Sequence, residues 1–181
     1  MLILLQFKII TTTYCRTTAN NETNPVKFLT ALNETVYNNV QRMNSDKNLT
    51  FALLEYQKGN LSLTGQHEEI LFVRKGGSVE RIDTLDLGFP IGWVDDISDC
   101  VVQKKIHLDS GDGIVLYTDG VTEALNSDKV EYSLERLCEV ISHYWHLSAK
   151  EIQQAVIADM RQYIRLQKVY DDITLLVLKQ K

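Results

Sequence analysis

Cysteine is scarce in this chain: three residues, at positions 15, 100 and 138, with no Cys-x-x-Cys spacing. An odd, widely spaced set excludes a disulfide framework and a thiolate zinc site, and points to reduced thiols in a cytoplasmic protein. Asn-x-Ser/Thr triplets at Asn21, Asn33, Asn48 and Asn60 then carry no glycosylation signal. Positive charge is in deficit, with 19 Lys and Arg against 24 Asp and Glu, a net charge of −5. That speaks against a nucleic-acid or anionic-membrane surface, both of which need a basic footprint. There is no low-complexity tract, charge run or internal repeat. Nor is there a long apolar run. The opening "MLILLQFKII" is too short to span a bilayer and lacks the basic start and cleavage site of a signal peptide, so it reads as a core segment. What remains is 181 residues of ordinary hydrophobicity, 44%, enough for one domain with a real core.

Asn24-Pro25 is a helix start, Asn as N-cap and Pro at the first helical position. Phe28, Leu29, Leu32, Val36 and Val40 follow at helical spacing, which predicts a helix over 25–43. Paired strands are expected next: 49–56 with 61–64 around "QKGN", 70–74 with 78–82 around Gly76-Gly77, and 100–108 with 113–118 around "DSGDG". Between the second and third pairs, residues 83–99 form an irregular segment with five Asp residues. Loops of that length are often functional or mobile. Helices are predicted over 133–146 and 149–165, the second opened by a Ser148–Glu151 capping box. The chain ends in an apolar strand, "ITLLVLK". Strands and helices segregate rather than alternate, so the class is α+β with antiparallel sheet.

The chemistry-bearing feature is "GDGIVLYTDGVTEALN", residues 111–126. A buried apolar strand runs directly into Asp119 and Gly120. Asp171 and Asp172 stand in front of the last strand. If the two strands are antiparallel neighbours, these carboxylates converge on one rim. Converging carboxylates repel unless a cation or proton compensates. Mg²⁺ and Mn²⁺ prefer oxygen donors, and two such ions about 3.5–4 Å apart activate a water and clamp a phosphate. Gly120 keeps the neighbouring backbone bare. The plainer alternative is that Asp-Gly is a turn and Asp-Asp a cap. A Walker site is excluded, because no G-x-x-x-x-G-K-[ST] is present. An aspartyl phosphotransferase is excluded too, because Tyr117 occupies the place of its nucleophile. His67, alone in "TGQHEE", reads as a turn or surface residue.

"GDGIVLYTDGVTEALN" followed by "YDDITLLVLK", with "SLTGQHEEILFVR" and "LDLGFPIGW" ahead of them as the middle motifs, resembles the SpoIIE/RsbU-type serine phosphatases in their cyanobacterial form. These are the bacterial branch of the metal-dependent, PP2C-like phosphatases. The resemblance covers roughly residues 24–181, and it implies a single domain over residues 1–181. It implies a partial α-β-β-α sandwich, a Mn²⁺ or Mg²⁺ two-metal centre, and hydrolysis of phosphoserine or phosphothreonine on a regulatory protein of the anti-sigma-factor-antagonist type. By it, Asp119 and Asp171 are metal ligands and catalytic, while Gly120, Asp172 and Thr174 support them. A homodimer is compatible with it. The family also opens with Gly-Asp-x-x-Gly-His-Gly, whose Asp bridges both metals, and these 181 residues contain no such segment. The expectation is therefore a phosphatase domain lacking its first strands and first metal motif, with impaired activity. The alternative is an inactive remnant that binds a partner or regulator.

Overall fold

The computed structural model describes residues 24–165, 167 and 171–181, so the readings of the N-terminal segment and of Cys15 lie outside the described residues. It divides into two compact units. One runs through His67 and resumes over Thr84–His107; the other takes Glu68–Asp83 and Leu108–Lys181.

In the first unit, helix α1 (Pro25–Arg42) starts as expected, with the Asn24 side chain accepting from the amides of Val26 and Lys27. Strands β1 (Leu53–Gln57), β2 (Asn60–Thr64) and β5 (Gln103–His107) form a three-stranded antiparallel sheet in the order β1-β2-β5. Phe28, Leu29 and Leu32 of α1 pack with Phe51, Leu53, Ile91, Ile97 and Val101. The long 83–99 segment is not loose. Fully buried Asn33 donates to the carbonyls of Val94 and Asp95 and accepts from the Gly92 amide, pinning the loop to α1. Asn33→Ala strands three backbone groups, each costing about 1–3 kcal/mol when buried without a partner. We expect a loss of about 3 kcal/mol in urea unfolding at unchanged m. A loss within error would mean that the loop holds itself.

In the second unit, β3 (Ile70–Val73), β4 (Val79–Ile82), β6 (Gly113–Tyr117) and β7 (Leu175–Lys179) form an antiparallel sheet in the order β4-β3-β6-β7. A one-turn helix, α2 (Asp119–Thr122), follows β6. Helices α3 (Leu134–Tyr144) and α4 (Ala149–Ile164) then cover one sheet face, α4 opened by the expected capping box. Leu137, Ile141, Ile152, Val156 and Met160 from these helices pack with Leu71, Val73, Val115 and Tyr117 from the strands.

Both fold class and strand direction agree with the sequence, since all strand pairings among the described residues are antiparallel. The third strand pair is a correction: β5 and β6 are both strands but lie in different sheets. Their burial explains the separation. β6 is buried at all five positions, whereas β5 exposes Lys104, Lys105 and His107. The turn-like "DSGDG" between them is fixed elsewhere: buried Asp112 accepts from the Lys75 amide at 2.9 Å and from Arg74 at 3.2 Å. It is a crossover with the composition of a hairpin.

Candidate active site

Strand β6 delivers its carboxylate through a change of conformation. The ladder with β7 runs from Gly113↔Lys179 to Tyr117↔Leu175. Beyond it Thr118 remains extended, and Asp119 becomes the first residue of α2. Val121, fully buried in the core of this unit, anchors the helical turn from beneath. Asp119 is half-buried, and its Oδ1 accepts from the Gly120 amide at 2.8 Å.

The opposite strand arrives at the same rim. The Thr118 amide donates to the Thr174 carbonyl at 3.1 Å. The Thr118 hydroxyl donates to the Asp172 carbonyl at 2.8 Å and accepts from the Thr174 amide at 3.0 Å. Gly120 lies so close to the incoming chain that a Cβ on it would stand 2.6 Å from the Asp172 oxygen and 3.4 Å from the Asp171 carbonyl carbon. Asp171 and Asp172 are exposed, and Asp171 Oδ1 accepts from the Asp172 amide at 2.7 Å. The residues singled out in the sequence, Asp119, Gly120, Asp171, Asp172 and Thr174, thus meet at one end of the β6–β7 pair.

A family model, that of Stage II sporulation protein E, matches residues 8–181. The chain belongs to the SpoIIE family. Protein IcfG of Synechocystis sp. is 28% identical to this SpoIIE-family chain over 132 residues, which is 72% of the chain and 20% of that protein. The SiaA-PP2C domain of Pseudomonas aeruginosa superposes with a TM-score of 0.72 at 17% identity, over 90% of this chain and 63% of that one. The RsbU and RsbW domains of Rv1364c from Mycobacterium tuberculosis give 0.68 at 18% identity, over 93% and 45%. The chain therefore spans a fifth of its curated relative and less than two thirds of these two solved structures. At such identities the solved structures establish the fold, which is PP2C-like.

One acidic neighbour escaped the sequence reading. The register pairing Leu71 with Val115, extended by three residues, brings Glu68 level with Thr118. Burial, and then the charges of Asp119, Glu123 and Glu69, push the Glu68 carboxyl above its ordinary value. The segment "QHEEILFV" carries only half of the signal: it sets a carboxylate just ahead of a strand, and that carboxylate reaches this rim only because the strand borders β6. A carboxylate whose folded-state pKa is raised opposes folding as pH rises through the unfolded and then the folded value. Glu68→Gln is therefore expected to raise the metal-free melting midpoint near neutral pH. The gain should vanish below the carboxylate range, where the group is protonated in both states. An unchanged or lower midpoint at neutral pH would remove Glu68 from the acidic field.

The other candidates resolve into structural roles. His67 Nδ1 is 2.9 Å from Thr50 Oγ1, and its amide donates to Thr84 Oγ1, within the first unit. Cys100 and Cys138 are free thiols. The segment after α2 is tied down by Asp159, which accepts two bonds from the Arg136 guanidinium and one from the Tyr132 hydroxyl. The Arg136 bonds hold the Asp159 carboxyl below its ordinary value.

The donor set at the rim suits a hard cation, being carboxylate oxygen throughout. It does not by itself complete a two-metal centre. Among the described residues, no three His, Cys, Asp or Glu side chains are placed to hold one ion. Asp119 and Asp171 each also commit one oxygen to a local amide. Among those residues no helix is long and apolar enough to cross a membrane.

Proposed function

We propose that this SpoIIE-family chain serves a cytoplasmic, metal-dependent protein serine/threonine phosphatase, with residues 1–181 acting as one phosphatase-like domain. Asp119 and Asp171 contribute to a Mn²⁺ or Mg²⁺ site whose remaining donors this set of side chains does not supply. Gly120, Asp172 and Thr174 hold those two carboxylates on a common rim. The substrate class is a phosphorylated regulatory protein, of the anti-sigma-factor-antagonist type. The observation that carries the reading is the joining of the Asp119 and Asp171–Asp172 segments through Thr118 and Gly120, within a family-wide match over residues 8–181. It is tested by Mn²⁺-dependent release of phosphate from a phosphoserine protein, with Asp119→Asn as the control.

One observation favours a second reading. Because no three candidate ligands converge among the described residues, the chain by itself suits an inactive module that binds the phosphatase's protein partner. The same assay separates the two, since such a module gives no turnover with or without added donor residues.

A further inference from the structure

We infer that Thr118 is a positioning residue: its buried hydroxyl replaces the strand bonding that β6 gives up when the chain turns helical at Asp119. The inference rests on the reading of Asp119 and Asp171 as cation ligands, and it concerns a residue that neither strand pattern nor carboxylate spacing brought forward.

Regular bonding between β6 and β7 would continue past Tyr117↔Leu175 with Thr118 facing Thr174 through two backbone bonds. Only one is made, from the Thr118 amide to the Thr174 carbonyl. The Thr118 carbonyl instead accepts from Val121, inside the turn that aims Asp119. The Thr174 amide would lose its partner there. It finds the Thr118 hydroxyl at 3.0 Å, and the hydroxyl proton goes on to the Asp172 carbonyl at 2.8 Å. One side chain, 1% exposed, therefore serves a donor and an acceptor on the opposing segment. This lets β6 turn into a helix while Asp172 stays beside it. Asp171 is exposed, with its Oδ1 bonded to the next amide, so its carboxylate follows the backbone that Thr118 holds. A threonine serving packing alone would be replaced by Val at little cost. A threonine serving this bonding would tolerate Ser and not Val.

The test is amide-resolved NMR of the ¹⁵N-labelled chain with substoichiometric Mn²⁺ alone, whose paramagnetic broadening reports weak association. The wild type is expected to lose amide signals around 119–121 and 171–173. Thr118→Val should weaken Mn²⁺ affinity about 10-fold, the scale for loss of a residue that orients a metal ligand, and spare the 171–173 signals. Thr118→Ser should stay within about twofold of wild type. Asn33→Ala, destabilised in the other unit, controls for stability and should keep the wild-type broadening. Should the Val variant not fold, Thr118→Ala provides the same comparison. Wild-type broadening in Thr118→Val or Thr118→Ala, with Asp119→Asn abolishing it, would overturn the role of Thr118 and leave the rim reading standing. Broadening that persists in Asp119→Asn would overturn the rim reading and this inference with it.

Discussion

Assayed alone with Mn²⁺, the 181 residues should hydrolyse a phosphoserine protein barely above the metal-free background. Joining them to a segment that carries Gly-Asp-x-x-Gly-His-Gly should raise turnover by more than about 100-fold, since even an outer partner of a metal ligand carries about 10–100-fold. The argument is electrostatic. Two divalent ions a few ångströms apart repel strongly, and a carboxylate shared between them offsets that repulsion and fixes their separation. The rim carries Asp119 and Asp171, each with one oxygen already bonded locally, and among the described residues no three His, Cys, Asp or Glu side chains are placed to hold one ion. Mg²⁺ and Mn²⁺ demand near-octahedral oxygen sets, so two side chains leave most positions to water and bind weakly. In the joined protein, Asp119→Asn should return turnover to background. Turnover by the chain alone that equals that of the joined protein, and is lost on Asp119→Asn, would show that this rim needs no added donor. Turnover absent from both would favour the partner-binding module.

Much of this was legible because the decisive signals are local. The Asn24-Pro25 start, the Ser148–Glu151 box and the fully apolar β6 each specify an element through neighbours in sequence. The meeting of the Asp119 and Asp171–Asp172 segments was legible for a related reason. Once β6 and β7 are antiparallel neighbours, the end of one must lie beside the start of the other. What stayed hidden was pairing at long range. "DSGDG" has hairpin composition, yet it changes sheets because buried Asp112 bonds the Arg74–Lys75 turn instead. Thr118 was hidden because its role depends on where a strand stops being a strand. Glu68 was hidden because its partners arise only through the β3–β6 register. The 83–99 segment reads as irregular in sequence, while its order comes from distant partners, among them one Asn on a helix some sixty residues away and the backbone of Leu49.

Gly120→Ala should damage the rim more than any other single-methyl change in the second unit's site. The backbone at Gly120 is helical, so alanine meets no conformational penalty there and the effect is purely steric. Its Cβ would stand 2.6 Å from the Asp172 carbonyl oxygen and 3.1 Å from the carbon of that carbonyl. Both are backbone atoms, which cannot rotate away as a side-chain end does. The Asp171–Asp172 segment must then move outward, or α2 must tip, and either lengthens the 2.8 Å bond from the Thr118 hydroxyl. Overpacking of this kind costs about 1–3 kcal/mol. Gly76→Ala in the same unit is the matched control, because a Cβ there meets nothing within 4 Å. It should leave stability unchanged or raise it slightly by restricting the unfolded chain. The comparison is read by urea unfolding together with the joined protein's Mn²⁺-dependent turnover. Gly120→Ala should lower both and shift amide signals around 118–121 and 171–174, while Gly76→Ala moves neither. A Gly120→Ala protein as stable and active as the Gly76→Ala control would mean that the two carboxylate segments are not held against each other as the geometry here requires.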